Sequence, residues 1–320
     1  MNTKECKISL VVSVYNEEII LGRFLKELQE AISSVPEITP EYIFVNDGST
    51  DNSGEILDNF AKNSKNVWII HFSRNFGHEA AMMAGIDHAS GNAVICMDSD
   101  LQHPPALIEA MTRKFLDGCE VVNMVRRENN AGGIIKGLTA KLFYVLLNKL
   151  SSMRFEPNAS DFFLISKRVA DILRTNFRER ARFLRGFIQI VGFKKASIEF
   201  VAPVRGGGHS KYPYKILIML SVTAIAAFSK FPLHLSVLTG ILFSAFSIIF
   251  GIFSIIMKFT KNPVPGYTTI VVMISFMFGI QLFLMGIIGE YIGVLIDESK
   301  KRPIYIVDKI IGCDDLDNKP

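Results

Sequence analysis

The sequence predicts an α/β protein built on a mostly parallel sheet, followed by a pair of membrane helices. Three observations carry this reading. Short apolar runs alternate with helical periodicity through the first half of the chain. A polar cluster follows each apolar run. Residues 233–296 of the 320 are nearly free of charge.

The alternation is taken in order. A strand is expected over 8–14 and a helix over about 19–33; a second strand over 42–45 precedes a helix over about 50–62. A third strand over 67–71 leads to a helix at 79–89, a fourth over 93–97 to a helix at 105–116, and a fifth covers 121–125. In a sheet of this kind, ligands bind at the carboxyl ends of the strands. The chain puts Tyr15-Asn16-Glu17-Glu18, Asn46-Asp47-Gly48-Ser49-Thr50, Ser73-Arg74-Asn75-Phe76-Gly77-His78, Asp98-Ser99-Asp100 and Arg126-Arg127 there. One such tail is ordinary loop chemistry, and Ser49 or Thr50 alone reads as a helix N-cap. Five at one edge describe a site.

Asp98 and Asp100 stand one residue apart where a strand meets a loop. That spacing suits a hard divalent cation, which takes oxygen ligands and bridges to phosphates; the plainer alternative is a solvated turn. No Gly-x-Gly-x-x-Gly and no Gly-x-x-x-x-Gly-Lys-Ser/Thr occurs, so dinucleotide and P-loop sites lose support. The six histidines form no ligand set, and His78 and His103 read as surface polar residues or substrate contacts.

The net charge of +4 is too small to argue for nucleic acid. Mean hydropathy is +0.29, and the apolar residues are unevenly placed. The stretches at about 233–257 and 268–296 are each long enough to cross a bilayer, which takes roughly 20 apolar residues. A polar turn around Lys258 and Lys261 separates them. Arg205, Lys211, Lys215 and Lys230 precede the hairpin, and Lys300, Lys301 and Arg302 follow it. That bias puts both termini and the N-terminal domain on the cytoplasmic side of an inner membrane. The apolar pieces inside 211–231 are too short to span and read as interfacial helices, or else as a core helix. Four scattered cysteines without Cys-x-x-Cys fit reduced thiols, and no signal peptide is visible. The expected organisation is a catalytic domain over 1–210, interfacial helices over 211–231, two membrane helices over 232–297 and a cytoplasmic tail over 298–320.

The strand-end clusters, together with Met97-Asp98-Ser99-Asp100-Leu101-Gln102-His103-Pro104-Pro105, resemble glycosyltransferase family 2. Within it, the chain is similar to the polyprenyl-phosphate branch. Arg205 with Ser210-Lys211-Tyr212 resembles that branch's juxtamembrane motif, and Gly289-Glu290-Tyr291-Ile292-Gly293 with Lys301-Arg302-Pro303 resembles its signature after the second span. The resemblance covers about residues 7–307.

It implies a GT-A fold, a nucleotide-sugar donor, a polyprenyl phosphate acceptor at the lipid bilayer and a divalent cofactor, Mg2+ or Mn2+. By position, Asp98, Asp100 and Gln102 would hold metal and diphosphate. Tyr15, Glu17, Asp47 and Asp98 would bind the nucleotide sugar. Asp161 would join Asp100 as catalytic, lying at the sugar and the acceptor phosphate. Arg126, Arg205, Ser210 and Lys211 would meet the acceptor phosphate. Departures from the pattern are Ser13 for a common Pro, expected to matter little, Ser99 for Ala, His103 for Asp and Phe163 for Arg. Arg178, Arg180, Arg182 and Arg185 are expected either to form a basic collar or to be a solvated face. Glu290, in an apolar helix, is expected to face a partner helix or the headgroup zone, or to be exposed at the helix end.

The expected reaction is inverting transfer of one sugar, from a UDP-hexose by resemblance, for cell-envelope glycan modification. Rival readings are a processive synthase, another lipid or polysaccharide acceptor, and an inactive membrane scaffold. The first would carry Gln-x-x-Arg-Trp, but the only Trp is Trp68. A homo-oligomer is compatible with the sequence.

Overall fold

The computed structural model describes residues 6–127, 159–179, 183–203, 231–260 and 266–312. These divide into two units. The first holds the described residues up to 203 together with 302–312; the second holds 231–260 and 266–301.

The first unit is an eight-stranded mixed sheet. Its strands are β1 (Cys6–Val14), β2 (Ile38–Asn46), β3 (Val67–Phe72), β4 (Ala93–Asp98), β5 (Val121–Arg126), β6 (Ala159–Ser166), β7 (Lys195–Phe200) and β8 (Val307–Gly312). Their order across the sheet is β7-β5-β6-β4-β1-β2-β3-β8. The helices are α1 (Glu18–Ser33), α2 (Ser53–Lys62), α3 (His78–His88), α4 (Ile108–Leu116), α5 (Lys167–Asn176) and α6 (Leu184–Ile190), with a short 3-10 turn at Pro105–Leu107. All five strands expected from the sequence are present, some longer by a few residues.

The parallel register explains why the strand tails meet. Val14 pairs with Asn46, and Ser13 with Asp98. Asn46 in turn pairs with His71. The chain therefore leaves β1, β2, β3 and β4 at one level along one edge.

Alternation along β1 serves the two faces. Ile8, Leu10, Val12 and Val14 join the core that contains Leu21, Phe24 and Leu28 of α1, Leu57 of α2 and Met111 of α4. On α1 these residues recur at three- and four-residue spacing, the stripe a helix buries on a sheet. Complete burial of each such side chain is worth about 1.5–3 kcal/mol against exposure. Val11 faces the other way, against α3. A Cβ built on Gly85 would lie 2.1 Å from Val11 Cγ1, so only glycine lets the helix approach this closely.

Three strands lay beyond the sequence reading. β6 runs antiparallel to both β4 and β5 and separates them. β5 and β7 form a parallel pair beyond it. β8 lies in the stretch expected to be a tail and pairs antiparallel with β3, so the chain returns to this sheet after the second apolar helix.

The second unit holds α7 (Phe231–Thr260) and α8 (Tyr267–Ser299). Both are long and apolar enough to cross a membrane. They touch each other, with the Phe243 and Phe276 rings 6.1 Å apart. Glu290 is exposed on α8. The interfacial helices expected over 211–231 lie outside the described residues except for Phe231, where α7 begins.

Candidate active site

The site is built where β1, β4 and β6 end or begin. Because β6 runs antiparallel, its first residues reach the same edge as the last residues of β4. Cys96 pairs with Phe163. Two residues further along that register, Asp161 comes level with Asp98.

His78, the first residue of α3, stands between these two carboxylates. Its Nδ1 is 3.2 Å from Asp98 Oδ1, and its Nε2 is 3.7 Å from Asp161 Oδ2. Ser13 Oγ lies 2.9 Å from His78 Nδ1 and donates to Asp98 Oδ1 at 3.2 Å. Ser13 was expected to matter little, yet its hydroxyl touches both partners, which a proline ring could not do. Asp161 Oδ1 is 2.9 Å from Arg185 Nε on α6. Glu79, next to His78, accepts the Leu184 N–H at 2.9 Å. Ser99, which stands for a common Ala, donates its hydroxyl to the Ser13 carbonyl at 3.1 Å.

This concentration of acid shifts the protonation equilibria. Burial raises the Asp98 pKa, and the neighbouring Asp161 and Asp100 push it the same way. Burial and Asp161 together raise Glu79. Burial would lower His78, but Asp98, Asp161 and Glu79 outweigh it, and its pKa ends above the ordinary value. The carboxylates thus create a strong demand for positive charge.

Asp100 Oδ1 accepts the Gln102 N–H at 3.0 Å, and the Gln102 amide oxygen accepts from Arg126 Nη1 at 3.3 Å. His103 is a correction to the surface reading: it is fully buried, with its ring stacked 5.2 Å from Phe162. Its Nδ1 accepts the Asp98 N–H at 2.9 Å. Burial, followed by Arg126, holds its pKa well below the usual range, so the ring is neutral. Its Nε2 lies 3.1 Å from Arg126 Nη2. Among the described residues, the buried Arg126 Nε has no hydrogen-bond partner.

The loop residues divide by role. Asp47 is buried, with Oδ1 accepting from Phe76 N at 2.6 Å and Oδ2 from Gly77 N at 3.0 Å. It therefore fixes the loop that presents His78. Asn16 and Glu17 donate their backbone N–H groups to Ser49 and Ser53 hydroxyls at 3.0 and 2.9 Å, lacing the first two loops together. Tyr15 and Glu17 are half-buried in that lacing. Arg178 pairs with Asp87 at 2.8 Å rather than standing free in a collar. Phe163 is buried in the sheet, so the arginine contact of the family pattern is replaced by packing there. Arg180, Arg182, Arg205, Ser210 and Lys211 lie outside the described residues. His78, Ser13, Glu79 and Arg185 are the members that sequence reasoning did not assign to the site. Of these, His78 gave a signal by its position at a strand tail, and Arg185 as one of the arginines considered for a basic collar.

The donor set fits a hard cation. Asp98, Asp100 and Gln102 offer carboxylate and amide oxygens, the hard ligands such a cation takes. Among the described residues, no three His, Cys, Asp or Glu side chains converge into a closed cage. One or two carboxylates with open positions is the arrangement by which Mg2+-like ions share a substrate's phosphates.

A family model described as glycosyl transferase family 2 matches residues 9–172. An uncharacterized glycosyltransferase of Bacillus subtilis is 39% identical over 313 residues, 98% of this chain and 96% of the relative. A bactoprenol glucosyl transferase of Shigella phage SfV is 38% identical over 302 residues, 94% of this chain and 98% of the relative. The crystal structure of mannosyl-3-phosphoglycerate synthase from Rubrobacter xylanophilus aligns with a TM-score of 0.47 and 14% identity, covering 69% of this chain and 72% of that one. With the family model spanning half the chain and relatives matching it nearly end to end, the protein belongs to glycosyltransferase family 2.

Proposed function

We propose that this protein transfers one sugar, with inversion, from a nucleoside-diphosphate sugar to the phosphate of a membrane polyprenol. The observation that carries the reading is the juxtaposition of Asp98 and Asp161 around His78 at the carboxyl edge, beside the Asp100–Gln102–Arg126 group. The near-full-length match to a relative named as a bactoprenol glucosyl transferase supports the acceptor class. A UDP-hexose is the donor favoured by the resemblance.

When bound, Mg2+ or Mn2+ would be held by Asp98, Asp100 and Gln102 and would neutralise charge building on the leaving diphosphate. The chain's own residues do the rest. Tyr15, Glu17 and the laced loops seat the nucleotide. Asp47 acts from behind, holding the loop that carries His78. Arg126, which reaches the Gln102 amide oxygen through Nη1, offers its guanidinium to a phosphate.

The acceptor is a phosphate monoester with a second pKa of about 6, so it is largely dianionic at neutral pH and needs no protein base. The ion pair of Asp161 with Arg185 favours a positioning role for this carboxylate over proton abstraction. One displacement at the anomeric carbon gives inversion. Arg205, Ser210 and Lys211 follow β7, which leaves the sheet beside Arg126 at the same edge, and they are assigned to the acceptor phosphate. Helices α7 and α8 anchor the chain in the membrane where the lipid resides, with the first unit and both termini on the cytoplasmic side.

The test is incubation of the purified full chain with undecaprenyl phosphate, Mg2+ or Mn2+ and a panel of labelled sugar nucleotides. Label entering a lipid-phosphate-linked sugar of inverted configuration is expected from one donor. Transfer only to other lipids, or no transfer from any donor, would overturn the assignment.

A further inference from the structure

We propose that the strand encoded after the second apolar helix is a working part of the donor site, acting through a side-chain relay that passes through the buried His71 and Asn46. The inference rests on the reading above that the first two loops seat the donor nucleotide.

The relay starts at Lys309 on β8, whose Nζ lies 2.9 Å from Asp58 Oδ2 on α2. Asp58 Oδ1 is 2.8 Å from His71 Nε2 on β3. His71 Nδ1 is 3.0 Å from Asn46 Nδ2, at the end of β2. Asn46 Oδ1 accepts the Ser49 N–H at 3.0 Å, and Ser49 Oγ accepts the Asn16 N–H at 3.0 Å. The path thus crosses from the outermost strand to both loops of the proposed nucleotide site.

The chemistry fixes the direction of every bond. The Ser49 amide can only donate, so the Asn46 oxygen must face it and the Asn46 NH2 must face His71. His71 Nδ1 is then an acceptor, and its proton sits on Nε2, donated to Asp58. The second Asp58 oxygen accepts from Lys309. Each partner admits one arrangement, so the relay transmits orientation as well as contact.

His71 and Asn46 are each only 6% exposed, so water cannot replace a missing partner. No member belongs to the Asp98–Asp100–Gln102 group. Asn46 immediately precedes Asp47, so tilting its amide disturbs the turn that carries the loop pin. A second tether reinforces the same segment: Tyr305 donates to Asp87 Oδ2 at 2.7 Å and stacks on Phe72 with ring centroids 5.1 Å apart. His71 and Lys309 are therefore positioning residues for donor binding.

The experiment uses the full chain in detergent or nanodiscs with Mg2+. It measures UDP affinity by calorimetry, KM for donor and for polyprenyl phosphate, and amide exchange at Ser49 and Asn16 without ligand. His71→Phe removes both ring bonds and keeps the ring; a rise of about tenfold in donor KM and UDP Kd is expected, equivalent to ~1.4 kcal/mol, with lipid KM within about twofold. Lys309→Met should weaken UDP by about two- to fivefold, as a partly exposed pair allows, and Lys309→Arg should restore it. Lys309→Met is a surface change that leaves the core intact, so the idea stays testable if His71→Phe does not fold. Unchanged UDP affinity in Lys309→Met and in a folded His71→Phe overturns the proposal, as does an equal rise in both KM values. If the wild type binds no nucleoside diphosphate, the functional reading falls. Amide exchange then still judges the relay: faster exchange at Ser49 and Asn16 in the variants supports the linkage, and unchanged protection refutes it.

Discussion

Gly48→Ala should disable the donor site from one turn away. Gly48 has φ +65°, in the left-handed region that a side chain disfavours by about 1–2 kcal/mol. A Cβ there would lie 2.4 Å from the Arg74 carbonyl carbon and 2.6 Å from Asn75 N, both backbone atoms. Ordinary contact begins near 3.4 Å, so the loop after β3 must retreat by roughly 1 Å. Asp47 holds that loop through bonds of 2.6 and 3.0 Å to Phe76 and Gly77. Hydrogen bonds to a charged acceptor are worth about 1.5–3 kcal/mol each, and the retreat sacrifices at least one. The combined cost is therefore ~3 kcal/mol or more, about 100-fold in the population of the correctly set loop. Thermal unfolding should drop by about 6 °C or more, and nucleoside-diphosphate affinity should fall with it. A variant that melts with the wild type and binds equally well would show that the close approach of the two loops is not needed.

Other outcomes follow from the same geometry. Asp100→Asn should cut transfer by about 100-fold or more with the melting point unchanged, and chelation of divalent ions should do likewise; activity persisting in chelator would remove the metal from the reaction. Ser13→Ala strips a hydroxyl from Asp98 and His78 and should lower kcat about three- to tenfold at constant stability; an unchanged kcat would return Ser13 to the status of a bystander. Gly85→Ala should destabilise the protein by about 1–3 kcal/mol through overpacking on Val11, read from denaturant unfolding. Glu41 is pinned by Lys7, Ser9 and Ser90 at the opposite end of the sheet, and these bonds outweigh burial and lower its pKa. Its contribution is full above the ordinary glutamate value of about 4.3 and is lost as pH falls through the lower folded value. The melting-point gap between wild type and Glu41→Gln should therefore be largest above the ordinary glutamate value of about 4.3 and close as the pH falls below it; a gap that widens in acid would contradict the sign.

What the sequence disclosed depended on how local the signal was. β1, β3 and β4 are mostly apolar runs bounded by polar clusters, and the clusters themselves mark the edge where ligands bind. Asp98 and Asp100 stand out because the strand delivers them there. Asp161 drew attention only through family resemblance, because its position depends on β6 pairing antiparallel between two parallel strands. His103 read as a surface residue, since Phe162 and Phe200, which enclose it, come from much later in the chain. Ser13 was discounted because its importance lies in which face of β1 it occupies opposite His78. β8 follows a basic stretch and is only six residues long, so it looked like a tail. Each omission involves a partner distant in sequence.

The late arrival of β8 has a practical side. A chain cut ahead of the first apolar helix, a common step toward a soluble preparation, would strip the cover from β3. The bare row of amides and carbonyls beside Trp68, Ile69 and Ile70 would be a template for sticking to another chain. Such a fragment should aggregate even though every acid of the site is still in its sequence, and rejoining residues 302–312 through a short linker should keep it dispersed.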